Sequence, residues 1–186
     1  MKKLILLLFV VVSCAHNSYE SASERLKSGF KEVALPFPSG TKFHISHGPF
    51  DSVKRIEGNE YNWNFDVPYG TPVTAIEEGK IVNVFEPNEG GGCDRKFLGK
   101  GHHIRILHPD NSMSMYLHIK SSVKKGQFVK QNEVIGTTAE NGIVCSPQLH
   151  FFIHKDGQAK KPQTIPLRFK GIPGGLATKG YSGTVP

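Results

Sequence analysis

Ser146-Pro147-Gln148-Leu149-His150-Phe151-Phe152-Ile153-His154 is the stretch from which the rest of this chain can be read. Taken as a β-strand, it sends successive side chains to opposite faces. Leu149, Phe151 and Ile153 form an apolar row suited to a core, while Gln148, His150, Phe152 and His154 point the other way. Three of those four can hydrogen-bond or hold a metal. The pattern makes His150 a candidate metal ligand, with Asp66, far upstream, as its partner. His154 shares the face but lies ~13 Å along the strand from His150 at ~3.3 Å per residue, too far to share one ion.

Outward from this strand, the chain from about residue 33 consists of short alternating runs cut by Gly, Pro, Asn and Asp. Runs at residues 42–46, 61–67, 72–75, 79–85, 102–108, 112–119, 127–129, 133–138 and 149–154 read as strands, and no stretch carries a helical period. The expected fold is all-β, an antiparallel sheet core of sandwich or open-barrel type. Gly70-Thr71-Pro72-Val73 leading to Gly79-Lys80-Ile81-Val82 has the same logic as Val123 to Gln127 leading to Val134-Ile135-Gly136: a duplicated hairpin meander. Lipoyl and biotinyl carriers use such a meander, but they display a lysine beside Met or Asp at a hairpin tip, and no such tripeptide occurs here. Residues 86–100 read as a Gly-rich loop, and residues 171–186 as a loose tail.

The amino terminus is separate. Lys2 and Lys3 precede an apolar run from Leu4 to Val12, too short to span a bilayer as a helix and shaped like a secretory signal. Val11-Val12-Ser13-Cys14 resembles the bacterial lipobox, which would make residues 1–13 a lipoprotein signal and Cys14 the lipidated residue. Residues 14–32 are polar and Ser-rich and read as a tether. That combination places the protein outside the cytoplasm, anchored to a membrane of the cell envelope through Cys14; in a Gram-negative cell, Ala15 after the cysteine favours the outer membrane. In such a compartment Cys93 and Cys145 pair as a disulfide or stand as two buried thiols; neither has CxxC spacing. The formal charge is +7. Without Lys2 and Lys3 there remain 21 basic and 16 acidic residues, or +5. Scattered basic residues on an exported chain disfavour nucleic acid and suit cell-wall material with free carboxylates.

Several segments in order resemble the lysostaphin-type (LytM-like) zinc metallopeptidase domain, which cuts peptides in bacterial peptidoglycan. They are Asn64-Phe65-Asp66-Val67-Pro68-Tyr69-Gly70-Thr71-Pro72-Val73, Glu78-Gly79-Lys80-Ile81-Val82, Tyr116-Leu117-His118-Ile119, Val134-Ile135-Gly136 and Pro147-Gln148-Leu149-His150-Phe151. The resemblance makes residues 33–170 the peptidase-like domain and implies a groove on one face of the sheet. It implies one zinc held by three protein ligands with an open position for water. Asp66 matches the aspartate of the family's HxxxD motif, His150 the second histidine of HxH, and His118 the histidine of a YxHL-type strand. Along that strand Met113, Met115, Leu117 and Ile119 alternate with Ser114, Tyr116 and His118, which places His118 on the polar, groove side.

Two positions depart from the pattern. Gln148 stands where the first histidine of HxH belongs, and an amide can orient water but neither take nor give a proton. Asn62 stands four residues before Asp66, and a neutral amide oxygen is a poor zinc ligand. His47, in Ser46-His47-Gly48, is the candidate replacement ligand, with His44 alternating to the opposite side of its strand. With Asp66 and His150 alone, zinc is held weakly or not at all. The expected function is therefore that of a peptidoglycan-directed, zinc-endopeptidase-like lipoprotein with impaired catalysis. The alternative is a non-catalytic peptidoglycan binder or an activator of a separate wall hydrolase.

Overall fold

The stretch quoted above forms a strand, Gln148–His154, at the centre of the protein. The computed structural model describes residues 29–49, 51, 60–87, 90–157 and 163–186. Residues 1–28, with the proposed signal, Cys14 and most of the tether, lie outside the described residues. Lys31 to Pro186 form one unit. Its strands are β1 (Lys31–Val33), β2 (Lys42–His47), β3 (Trp63–Asp66), β4 (Pro72–Thr74) and β5 (Gly79–Phe85). They continue as β6 (Gly91–Gly92), β7 (His103–Leu107), β8 (Met113–Leu117), β9 (Ile119–Ser121) and β10 (Phe128–Val129). The last are β11 (Val134–Thr138), β12 (Gly142–Ile143), β13 (Gln148–His154), β14 (Leu167–Phe169) and β15 (Ser182–Thr184). Two short 3-10 turns are the helical elements among the described residues. The all-β expectation holds.

Eight strands form the main sheet, in the order β10-β5-β7-β8-β13-β3-β2-β15, all antiparallel. A second sheet, β4-β11-β9, is also antiparallel. The two similar meanders seen in the sequence interlock rather than fold separately: β4 of the first pairs with β11 of the second, and β5 of the first with β10 of the second.

The core lies on the face of β13 that carries Leu149, Phe151 and Ile153, each fully buried. Phe65 on β3 is its hub, meeting Phe37, Phe43 and Phe169 edge-on at 5.5–5.7 Å between ring centres. Such edge-to-face pairs add about 0.5–1.5 kcal/mol each beyond the area they bury. Tyr116 is also in the core, fully buried, its hydroxyl accepting the Ile76 N–H at 3.0 Å.

Residues 171–186 are not a loose tail. Ile172, Ala177 and Val185 are buried, β15 pairs with the outer edge of β2, and the Trp63 indole donates to the Ala177 carbonyl at 2.8 Å. The five glycines and prolines in the first ten of these residues shape turns that return the chain to the sheet, with Gly171, Gly174 and Gly175 at positive φ.

Residues 86–100 contain more order than a loop. The short parallel pair β6–β12 runs through them, and Cys93 and Cys145 beside it form a disulfide. Close approach explains the glycines: a Cβ on Gly91 would lie 2.5 Å from the backbone of Asn141.

Candidate functional site

Cross-strand partners in an antiparallel sheet point to the same face, so the register gives the composition of the face opposite the core. Asp66 lies between His44 on β2 and Gln148 on β13. One step along, Asn64 lies between His47 and His150, and His150 in turn lies beside Leu117 on β8 and then His103 on β7. Asp66 and His150 therefore share one face and are diagonal neighbours on adjacent strands, a relation that spans ~7–8 Å between backbones. Gln148, not His150, stands directly opposite the carboxylate.

The immediate partners are already engaged. Ser46 Oγ donates to Asp66 Oδ1 at 2.5 Å. His47 Nδ1 lies 3.1 Å from Asp51 Oδ2, which also accepts the Gly48 N–H. The His150 ring meets Phe152 edge-on at 5.6 Å. His44 Nδ1 and Ser182 Oγ are 2.8 Å apart. His44 is not on the side away from His47, as strict alternation would have it. A register shift between Ile45 and His47 inserts one residue, so His44 and His47 both reach the Asp66 face.

His118 reaches its place by a different route from the one alternation suggests. Ser114 and Tyr116 are buried on the core side, because they pair with Ile153 and Phe151. Met113, Met115 and Leu117 are the residues that share the face of His150. His118 follows the end of β8 in the left-handed region, at φ 62°, and this one residue breaks the alternation between β8 and β9. Its backbone still joins both sheets, donating to the His102 carbonyl and accepting from the Ala139 N–H. The ring is 7% exposed, and its Nδ1 lies 2.8 Å from the Asn141 carbonyl. A carbonyl only accepts, so Nδ1 carries the proton and Nε2 is left as the basic nitrogen. Burial pushes the ring's pKa below the ordinary histidine value, partly offset by that hydrogen bond, so the neutral form is favoured.

Asn141 is a residue of this site that the sequence reading missed. It is buried, orients His118 through its carbonyl, and accepts the His102 N–H on its side-chain oxygen at 2.8 Å. Its position between Glu140 and Gly142 gave no hint of this. A second polar cluster lies near the opposite end of β7 from His103, around a cavity of about 410 Å³ lined by Lys31, Glu77, Glu78, His108, Pro109, Asp110 and Gln131. Lys31 pairs there with both Glu77 and Asp110.

A family model described as Peptidase family M23 matches residues 59–162. The chain belongs to peptidase family M23. It is 34% identical over 155 residues to an uncharacterized metalloprotease of Haemophilus influenzae, across 80% of this chain and 30% of that protein. It is 28% identical over 155 residues to the peptidoglycan DD-endopeptidase ShyC of Vibrio cholerae, across 81% of this chain and 33% of that one. Lysostaphin of Staphylococcus simulans is 35% identical over 128 residues, 68% of this chain and 24% of lysostaphin. The solution structure of lysostaphin superposes with a TM-score of 0.51 at 28% identity, covering 66% of this chain and 48% of that one. The chain thus spans about a quarter to a third of the length of these curated relatives.

M23 enzymes are zinc metallopeptidases, and the donor set here does not fit that metal. Among the described residues no group of three His, Cys, Asp or Glu side chains could hold an ion. Asp66 and His150 offer two donors; of the two positions facing Asp66 one is the amide Gln148 and the other is His44, whose Nδ1 is engaged with Ser182, and Asn62, 5% exposed, is likewise an amide. Zinc sites of this kind need three protein donors of the imidazole, thiolate or carboxylate type. His47, the candidate third ligand, shares the face but is turned to Asp51.

Proposed function

We propose that this M23 domain binds peptidoglycan peptides in the groove over β3, β13 and β8 without cutting them by the family's zinc route. It acts as an exported wall-binding protein or as the activator of a separate wall hydrolase. The observation that carries this reading is the register of Gln148 against Asp66: the face keeps the carboxylate and His150, an amide stands where the family's proton-transferring histidine belongs, and among the described residues no set of three metal donors forms. Loss of a general acid or base alone costs about 10²–10⁴ in rate. The relatives that include a peptidoglycan DD-endopeptidase and lysostaphin support the wall as the target. The basic excess and the lipobox-like Val11-Val12-Ser13-Cys14 agree with an envelope protein anchored through Cys14.

Residual hydrolysis is the second reading, favoured by the retained His118 with its Nε2 kept basic. Incubation of the purified protein with isolated sacculi separates the two. The expected result is protein in the pellet and no soluble peptide above background. Peptide release that disappears in His150→Ala would overturn the non-cutting account and establish a working hydrolase.

A further inference from the structure

Arg105 lies on the same face as His150, in a row the proposed function has not used. Across the sheet Arg105 pairs with Met115, and Met115 with Phe152. The flanking rows are His103–Leu117–His150 on one side and Leu107–Met113–His154 on the other. Arg105 thus sits in mid-sheet, one row along from His150, and is partly buried.

No ion pair joins Arg105 to an acidic side chain among the described residues. Among the described residues, its hydrogen bond runs from Nε to the Met115 thioether at 3.3 Å, and a thioether is a weak acceptor. Within these paired rows the acidic side chain is Asp66, three strands away in sheet order and held by Ser46. Polar atoms around the guanidinium are also unsatisfied. His154 is 8% exposed and its Nδ1 has no partner; the Oδ1 of Asn83, opposite Arg105 on β5, is buried without one. Buried polar atoms in folded proteins are nearly always paired, so two of them near a cation with no acidic partner among the described residues call for an explanation. Burial first and the Arg105 charge second push the His154 pKa down; burial and the same charge also act on His103. The guanidinium's field therefore extends over both flanking rows.

We propose that Arg105 anchors a carboxylate of the peptide bound on this face of the sheet. A guanidinium offers a planar fork matched to a carboxylate, which an amide or a lysine does not reproduce. The inference rests on the reading that the groove takes a wall peptide. In such a peptide the carboxylate is either the carboxyl terminus or the free α-carboxylate of a γ-linked glutamyl residue. Both present the same group to Arg105.

The test is calorimetric titration of the full-length protein with the synthetic stem tetrapeptide L-Ala-γ-D-Glu-L-Lys-D-Ala. The free acid is compared with two versions, one amidated at the carboxyl terminus and one at the glutamyl α-carboxylate. One of the two amidations should weaken binding about tenfold to a hundredfold, as expected for hydrogen bonds to a charged group, and so name the source. Arg105→Gln should bind the free acid as weakly as the wild type binds that amide, and should not discriminate between them. Arg105→Lys, which keeps the charge, should fall between the two and decides the matter if Arg105→Gln does not fold. Equal affinity of wild type and variants for the free acid would overturn the assignment, as would a wild type blind to both amidations. Sedimentation with sacculi separates the failures: a wild type that pellets but ignores the carboxylates refutes Arg105 alone. One that binds neither sacculi nor peptide refutes the groove reading as well.

Discussion

Removing the Cys93–Cys145 bridge tests how the periphery of the sheet controls His118. The bridge closes a loop with a sequence separation of 52 residues. In the chain-entropy model, a loop of this length restricts the unfolded chain by about 4 kcal/mol at 25 °C. The double variant Cys93→Ser/Cys145→Ser should therefore lose about that much stability in urea unfolding, with a lower midpoint and a slope that rises as the unfolded chain expands. The bridge also fastens β6 against β12, and the backbone of Asn141, which packs on Gly91, begins that segment. Asn141 holds the Nδ1–H of His118. Loosening the segment should free the ring to sample both tautomers, visible in ring ¹⁵N shifts, while the core around Phe65 stays intact. A loss below about 1 kcal/mol, or a His118 ring that keeps its single tautomer, would refute the link from bridge to histidine.

Two further outcomes follow from buried groups. Tyr116→Phe removes the acceptor for the Ile76 N–H in a fully buried setting; stability to urea should fall by about 1–3 kcal/mol, and an unchanged midpoint would mean the amide finds another partner. His103, His108, His118 and His154 all have pKa values lowered by burial. For a histidine whose folded pKa is depressed, the unfolded chain binds more protons, so stability rises with pH. The protein should be more stable at about pH 7.5 than at about pH 5.5, the loss beginning as pH drops through the ordinary histidine value near ~6.5. Equal urea midpoints at the two values would contradict this.

Much of the arrangement was legible from side-chain alternation. Leu149, Phe151 and Ile153 are buried and Gln148 and His150 are on the other face, because a strand with one apolar row has a single way to lie against a core. Asp66 and His150 share a face for the same reason. Alternation failed where one residue departs from extended geometry. The extra residue between Ile45 and His47 reverses the side expected for His44, and the positive φ of His118 detaches it from the side of Tyr116. Neither departure has a glycine or proline to announce it. The carboxyl-terminal segment was misread because its anchors, β2 and the Trp63 indole, are more than a hundred residues away in sequence.

The central claim is that the chain has kept the M23 fold but not the donors for its metal. Titration of the untagged, metal-free protein with zinc addresses it most directly. The account predicts no zinc retained after gel filtration and no saturable heat that His150→Ala abolishes. One zinc retained per chain, lost on changing either Asp66 or His150, would contradict it.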